Sequence, residues 1–418
     1  MALHDALRND AQELAPELVA LRQQLHRRPE IGLELPRTQQ ALLAELDGLG
    51  LEISCGSHLS SITAVLRGRS SGTAVLLRAD MDALPVREAS GVEFSSEIDD
   101  AMHACGHDLH MSMLVGAAKL LSAHRDQLAG DVVFMLQPGE EGWDGAGKMI
   151  DEGVLDAAGP RVSSAYGMHV VSGKYPTGVF CGRPGTLMAA SGWLRVRVHG
   201  EGGHGATPHL ALDPITAAAE MVTGLQTLVT RRFDVFDPVV VTVGSLHAGT
   251  RRNIIADVAE FDATIRTFSA ESLARIRVEA PELCRRIAQA HGLEADAEYI
   301  DEYPATVNDA THTAFASHVV KEVFGAEGYQ AMAYPEAGAE DFSRVLQEVP
   351  GCYLMLGATP GGDYRGAPSN HSPRAAFDDS VLPLGALLHA ELAVQALERD
   401  AKPAKPAKVD GVERARVA

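Results

Sequence analysis

Two consecutive segments decide the fold: HDLHMSMLVGAAKLLSA, residues 107–123, and DVVFMLQPGEEG, residues 131–142. The first has the length and texture of a helix. The second opens as a short apolar run of strand type that reaches Gln137, where Pro138 and Gly139 turn the chain. Working outward, strand-like runs lie at 62–67, 73–78 and 164–170, and far downstream at CYLMLGA, residues 352–358. Helical spacing covers about 5–28 (Leu14, Leu18, Leu21, Leu25), where Pro29 stops it, then 38–49, 312–324 and 380–398. Strands alternating with helices of about ten residues or more predict an α/β layer on a largely parallel sheet.

The texture changes between about 188 and 302. WLRVRVHG, residues 193–200, alternates apolar and polar side chains, as a strand with one solvated face does. VVVTVGSL (239–246), AEFDATIRTF (259–268) and helices near 214–229 and 270–290 complete a compact α+β unit. The expected organisation is an α/β domain in two parts, 1–187 and 303–400, with this smaller unit inserted between them. The Lys/Ala/Pro-rich tail, 401–418, has no apolar period and is expected to be disordered.

Of the 418 residues, 46% are hydrophobic and 22% charged, a composition that can bury a large core without disulfides. The net charge of −20 argues against nucleic acid and anionic lipid as partners. Cys55, Cys105, Cys181, Cys284 and Cys352 are odd in number and widely spread, so no disulfide framework is expected. The polar N-terminal stretch has no apolar core of signal-peptide length, and no apolar run of about 18 residues predicts a membrane span. The expected compartment is the cytoplasm.

Chemistry concentrates in MHACGHDLH, residues 102–110. Thiolate and imidazole are zinc-type ligands, and Cys105 and His107 stand where a loop enters a helix. The bland alternative is a buried cysteine among surface histidines. In QPGEEG, Glu140 and Glu141 sit side by side at the C-terminal end of a strand, where open α/β sheets place ligands. One carboxylate of such a pair can bind a metal while the other takes a proton from water; a solvated acidic turn is the alternative. RADMDALP puts Asp80 and Asp82 after a strand, GMHV puts His169 at the end of another, and NHSP puts His371 in a loop before the last helix. Several strand ends thus deliver Asp, Cys, His and Glu to one edge, enough for a two-metal site.

The ordered motifs LLRADMDALPV, HACGHDLH, QPGEEG, GMHV, GGHGATPH, AGAEDFS and NHSP resemble the metal-dependent aminoacylase and carboxypeptidase family. They are most similar to its branch of hippurate hydrolases, N-acyl-amino-acid amidohydrolases and plant auxin-conjugate hydrolases. The resemblance spans roughly 10–398. It implies a two-metal catalytic domain with an inserted lid or dimerisation domain, and an activity that splits N-acyl amino acids. The ligands implied are Cys105, His107, Glu141, His169 and His371. Manganese or zinc would be bound, or else cobalt or nickel. Glu140 would be the general base and Asp82 would orient a ligand imidazole. His204 would polarise the scissile carbonyl, in the family usually in a neighbouring subunit's site, which implies a homodimer or homotetramer. Asn253 and Arg266 match substrate-holding positions, Arg266 for a carboxylate. The family's dipeptidases carry His where this chain has Asp80, which leaves the role of Asp80 open.

A dipeptidase, a carboxypeptidase or a deacetylase of an N-acetylated biosynthetic intermediate is the alternative within that resemblance. Outside it stand a cysteine hydrolase with Cys105 as nucleophile and a metal-bearing binding protein. The first leaves Glu140, Glu141, His169 and His371 without a task, and the second predicts a lost base or ligand.

Overall fold

The computed structural model describes residues 2–70 and 72–401, so the tail from 402 onward lies outside the described residues. The chain opens with helices α1 (Ala2–His26) and α2 (Pro36–Leu46), then strands β1 (Glu52–Cys55), β2 (Ile62–Leu66) and β3 (Ala74–Asp80). Helix α3 (His107–Ala123) precedes β4 (Asp131–Gln137), α4 (Gly145–Asp151), β5 (Ser164–Val171), β6 (Phe180–Gly182) and β7 (Gly185–Met188). Next come β8 (Ala190–His199), β9 (Gly203–His204), α5 (Pro214–Arg232), β10 (Val239–Ala248), β11 (Ile254–Ile255), β12 (Val258–Thr267), α6 (Ala270–Ala290) and β13 (Glu294–Tyr303). The chain ends with β14 (Thr306–Asn308), α7 (Ala310–Phe324), β15 (Tyr329–Ala331), α8 (Ser343–Glu348), β16 (Gly351–Gly357) and α9 (Leu382–Asp400).

The larger sheet has the order β1-β2-β4-β3-β5-β16-β6-β15, and its centre, β4-β3-β5-β16, is parallel. Side chains alternate across a strand, and here both faces are covered. Val75, Leu77, Ala79, Val132, Phe134 and Leu136 face α1, α3 and α9. Ala74, Leu76, Val133 and Met135 face the other way, against Met149 of α4 and Val345 of α8. Two-sided burial explains why these strands read as continuous apolar runs. Each fully buried Leu or Phe there contributes about 1.5–3 kcal/mol. One segment among the described residues, Asp379–Asp400, is long and apolar enough to cross a membrane. In this fold it is a core helix, packed on α1 and α3.

The smaller sheet, β10-β12-β8-β13, is antiparallel and drawn wholly from residues 190–303. Leu194, Val196 and Val198 point into α5 and α6, while Arg195, Arg197 and His199 point to solvent. Strand β13, EADAEYIDEY, carries little hydrophobic pattern. Backbone pairing holds it to β8, with an ion contact from Asp296 to His199 at 2.7 Å, while Arg195 and Arg197 of β8 pair with Asp262 and Glu260 of β12.

Candidate metal centre

The parallel strands bring their C-terminal ends to one edge. Asp80 ends β3 and Asp82 follows it, Glu140 and Glu141 follow β4, His169 lies near the end of β5, and His371 lies in the loop after β16. Cys105 and His107 arrive on the turn that starts α3. That turn needs its glycine twice over. Gly106 has φ +89°, and a Cβ there would meet Val170 Cγ2 at 2.4 Å.

The sequence-predicted ligand atoms meet. Those of Cys105, His107 and His169 lie within 4.8 Å of one another, as do those of Cys105, Glu141 and His371 and those of His107, Glu140 and Glu141. Cys105 Sγ is 3.3 Å from His169 Nε2 and 3.2 Å from His371 Nε2. Backbone carbonyls fix two tautomers. His107 Nδ1 donates to Asp82 O at 2.7 Å, and His169 Nδ1 donates to Val170 O at 2.7 Å. Both rings therefore turn an Nε2 lone pair inward. His107 Nε2 and Glu141 Oε1 are buried without a hydrogen-bond partner. Glu141 Oε1 lies 3.2 Å from His371 Nε2, a charge contact without hydrogen-bond alignment. His371 itself sits at φ +68°, a strained conformation for a non-glycine residue that clusters at functional sites.

Electrostatics agree with a cation-binding purpose. Burial lowers the basicity of His107, but Asp80, Asp82 and Glu141 outweigh it and raise its pKa, so positive charge at this ring is favoured. Burial and the carboxylates of Glu141, Glu140 and Asp80 push the Cys105 thiol up, the reverse of what activates a cysteine nucleophile. Burial, with Glu340, Glu141, Asp341 and Asp80 close by, raises Glu140 well above the usual carboxylate range. The raised carboxyl binds a proton more readily than an exposed one, the direction a proton acceptor needs.

Asp82 does more than the motif implies, and by different atoms. Its backbone carbonyl orients His107. Its buried carboxylate stands 3.8 Å from His107 Nδ1 and instead accepts the N–H groups of Glu140 at 2.9 Å and Glu141 at 3.0 Å. Asp80 acts behind the ligands. Its carboxylate pairs with Arg78 at 2.7 Å and with His110 Nδ1 at 2.5 Å, and His110 Nε2 accepts the Val170 N–H at 2.8 Å. Both nitrogens of His110 are thus engaged, which separates it from the ligand set.

Several site residues escaped the sequence reading. Asn370 donates to Cys105 O and Val170 O and accepts from Ser172 N, which ties three loops together; its place beside His371 was the available signal. Arg78 is fully buried and pairs with Glu340 and Asp341 of the AGAEDFS motif, whose carboxylates approach Glu140.

A cleft of about 590 Å³ opens over the cluster. Cys105, Glu140, Glu141, His169 and His371 line it together with Arg266, Glu302, Tyr303, Met188 and Met355. Arg266 donates to Ser191 Oγ and stands 3.9 Å from Glu302. His204 and Asn253 are exposed and do not line it. They neighbour each other on the small unit: β9 pairs with β11, and Gly205 N donates to Asn253 O. Ala206 N–H donates to His204 Nδ1 at 3.0 Å, which leaves Nε2 as the donor of the neutral ring.

Residues 76–395 match the model of peptidase family M20/M25/M40. The chain belongs to this family. Thermostable carboxypeptidase 2 of Saccharolobus solfataricus is 37% identical over 94% of this chain and 99% of its own length. IAA-amino acid hydrolase ILR1-like 4 of Arabidopsis thaliana is 36% identical, over 91% of this chain and 86% of its own. A Bacillus subtilis dinuclear metal-binding peptidase of family M20 superposes with a TM-score of 0.79 at 31% identity, covering 93% of this chain and 99% of that one. As an M20 protein the chain is a metal-dependent hydrolase of the amidohydrolase type with an α/β catalytic fold. The residues present fit divalent ions. Inward lone pairs on two tautomer-locked histidines, one of them the partnerless His107 Nε2, with a buried thiol and the partnerless Glu141 Oε1, make a donor set that a soft or borderline cation would satisfy.

Proposed function

We propose that the protein hydrolyses the amide bond of N-acyl amino acids, of N-acetyl or hippurate-like type, to a carboxylic acid and a free amino acid. The observation that carries this reading is one cleft lined by the Cys105, Glu141, His169 and His371 donors, the raised carboxyl of Glu140 and the guanidinium of Arg266, with the buried His107 clustered against Cys105, His169, Glu140 and Glu141. Cys105 and the three histidines, with Glu141, would hold two divalent ions, manganese or zinc foremost and cobalt or nickel as substitutes. Two ions held there would supply an acidified water and a positive centre for the carbonyl oxygen. Glu140 takes the proton of the attacking water and returns it to the leaving amine. Asp82 keeps Glu140 and Glu141 in register through their backbone N–H groups. Arg266 binds the carboxylate of the amino-acid half, where its fork geometry gives orientation.

His204 faces solvent on its own chain, so this reading assigns its Nε2–H to the oxyanion in a second subunit's cleft, with Asn253 beside it. The working form is then a homodimer or a multiple of one. An exposed edge at β10, with Val240 and Leu246 uncovered, supports such pairing. Five unpaired cysteines suit a reducing compartment, and we assign the protein to the cytoplasm.

The test is a turnover screen of N-acetyl, N-benzoyl and long-chain N-acyl amino acids beside unblocked dipeptides, with manganese, zinc and cobalt added separately. N-acyl amino acids should be cleaved fastest. Faster cleavage of dipeptides would replace this reading with the carboxypeptidase one, which the relative from Saccharolobus solfataricus favours.

A further inference from the structure

The loop that carries Glu140 is held from two sides. From within the larger domain, Asp82 accepts the N–H groups of Glu140 and Glu141. From the other side comes the end of β13, where the chain leaves the small sheet. A β-bulge between Asp301 and Tyr303 interrupts the pairing with β8. Bulges re-aim side chains next to sites, and this one leaves the buried Tyr303 hydroxyl against the loop. The hydroxyl donates to Glu140 O at 2.7 Å and accepts Asp144 N–H at 3.2 Å. Asp144 has φ +55°, a strained state that persists only when its surroundings over-determine it. Arg344 supplies the remaining hold. It grips the Asp144 carboxylate with two contacts of 3.1 Å and donates to Glu302 O at 2.9 Å.

We infer that Tyr303 is a positioning residue for the general base. Its hydroxyl closes the 140–144 turn against the hinge of the small domain, so the placement of Glu140 depends on where that hinge sits. The adjacent Glu302 lies on the Arg266 side of the same bulge, bonded through Ser191. The hinge strand therefore touches both the residue that would bind the substrate carboxylate and the loop that would move the proton. This rests on the reading of Glu140 as base. Tyr303 acts through the backbone of Glu140 and takes no proton itself.

The test compares the metal-loaded Tyr303→Phe and Glu140→Gln enzymes with wild type. Phenylalanine keeps the ring and removes both hydrogen bonds. At an ordinary worth for each of the two bonds, kcat should fall about five- to 150-fold. KM should stay within about twofold and metal content should be equal. Hydrogen exchange should rise in peptides covering 138–147 and nowhere else. Arg344→Lys, which loosens the other hold on Asp144, should move kcat and exchange the same way by about two- to threefold; it stands in if the tyrosine variant does not fold. Unchanged kcat, or unchanged exchange in the loop, overturns the inference. A merely structural tyrosine would instead lower the melting temperature and spread the exchange beyond the loop, which also overturns it. Full turnover in Glu140→Gln would sink the base reading itself. An inactive Glu140→Gln beside a wild-type Tyr303→Phe would sink only the hinge inference.

Discussion

Asp82→Asn separates what the carboxylate does from what the backbone does at the same residue. Asparagine keeps the size of the side chain and the carbonyl that orients His107, but it offers one acceptor oxygen and one NH2 group. The carboxylate now accepts two backbone N–H groups, at 2.9 and 3.0 Å, with the residue about 1% exposed. In the variant one of those N–H groups faces a donor. A buried hydrogen bond to a charged group is worth about 1.5–3 kcal/mol. At about 1.4 kcal/mol per factor of ten, kcat should fall roughly 10- to 150-fold. His107 keeps its 2.7 Å bond to the carbonyl, so bound metal should decline far less. The assay is kcat under saturating metal, paired with elemental analysis after gel filtration. A kcat within twofold of wild type would refute the reasoning. If the carboxylate instead served to orient His107, the variant would lose metal, and excess metal would restore full turnover.

Replacing Cys105 by Ala should lower the metal content measured by elemental analysis; an unchanged content with full turnover would make it an ordinary buried thiol. His204→Ala should reduce kcat by about 10²–10³ with metal content and melting temperature nearly unchanged. Mixing it with Glu140→Ala should restore activity through hybrid dimers that keep one intact site, and no recovery after demonstrated subunit exchange would confine His204 to its own chain. Acid stability should depend on Glu88: burial pushes its carboxyl up, yet bonds from His26, Ser90 and Ser96 N–H outweigh this and hold it at about 2. A depressed carboxylate contributes stability above its unfolded pKa that is lost as pH falls toward 2. Glu88→Gln should therefore lose stability at pH 6 and show a shallower acid limb in thermal melts between about pH 4.5 and 2; parallel melting curves across that range would rule this out.

The parallel core was legible because burial on both faces writes an unmistakable apolar run, as in DVVFMLQ. Strand β13 was not, since backbone pairing with β8 holds a sequence whose side chains read as a charged loop. The short strands β6, β7, β14 and β15 carry too few residues to show a period. At the site, the residues that MHACGHDLH, QPGEEG, GMHV and NHSP bring together stood out because metal chemistry restricts the residue types. What escaped was the supporting hydrogen bonding: Asn370 across three segments, Arg78 against Glu340 and Asp341, and Tyr303 on the Glu140 loop. Those roles belong to polar residues that sit far apart in the chain and have no periodicity. Which atom of Asp82 orients His107 escaped for a related reason. The motif shows that an aspartate stands there, and only the folded loop shows which atom does which work.

The most direct test of the account is metal replacement with the ions counted. Protein stripped by a chelator should lose hydrolysis of an N-acyl amino acid, and returning manganese or zinc should restore it as occupancy reaches two ions per chain. Stripped protein that still turns over, or activity that is already complete at one ion per chain, would contradict it.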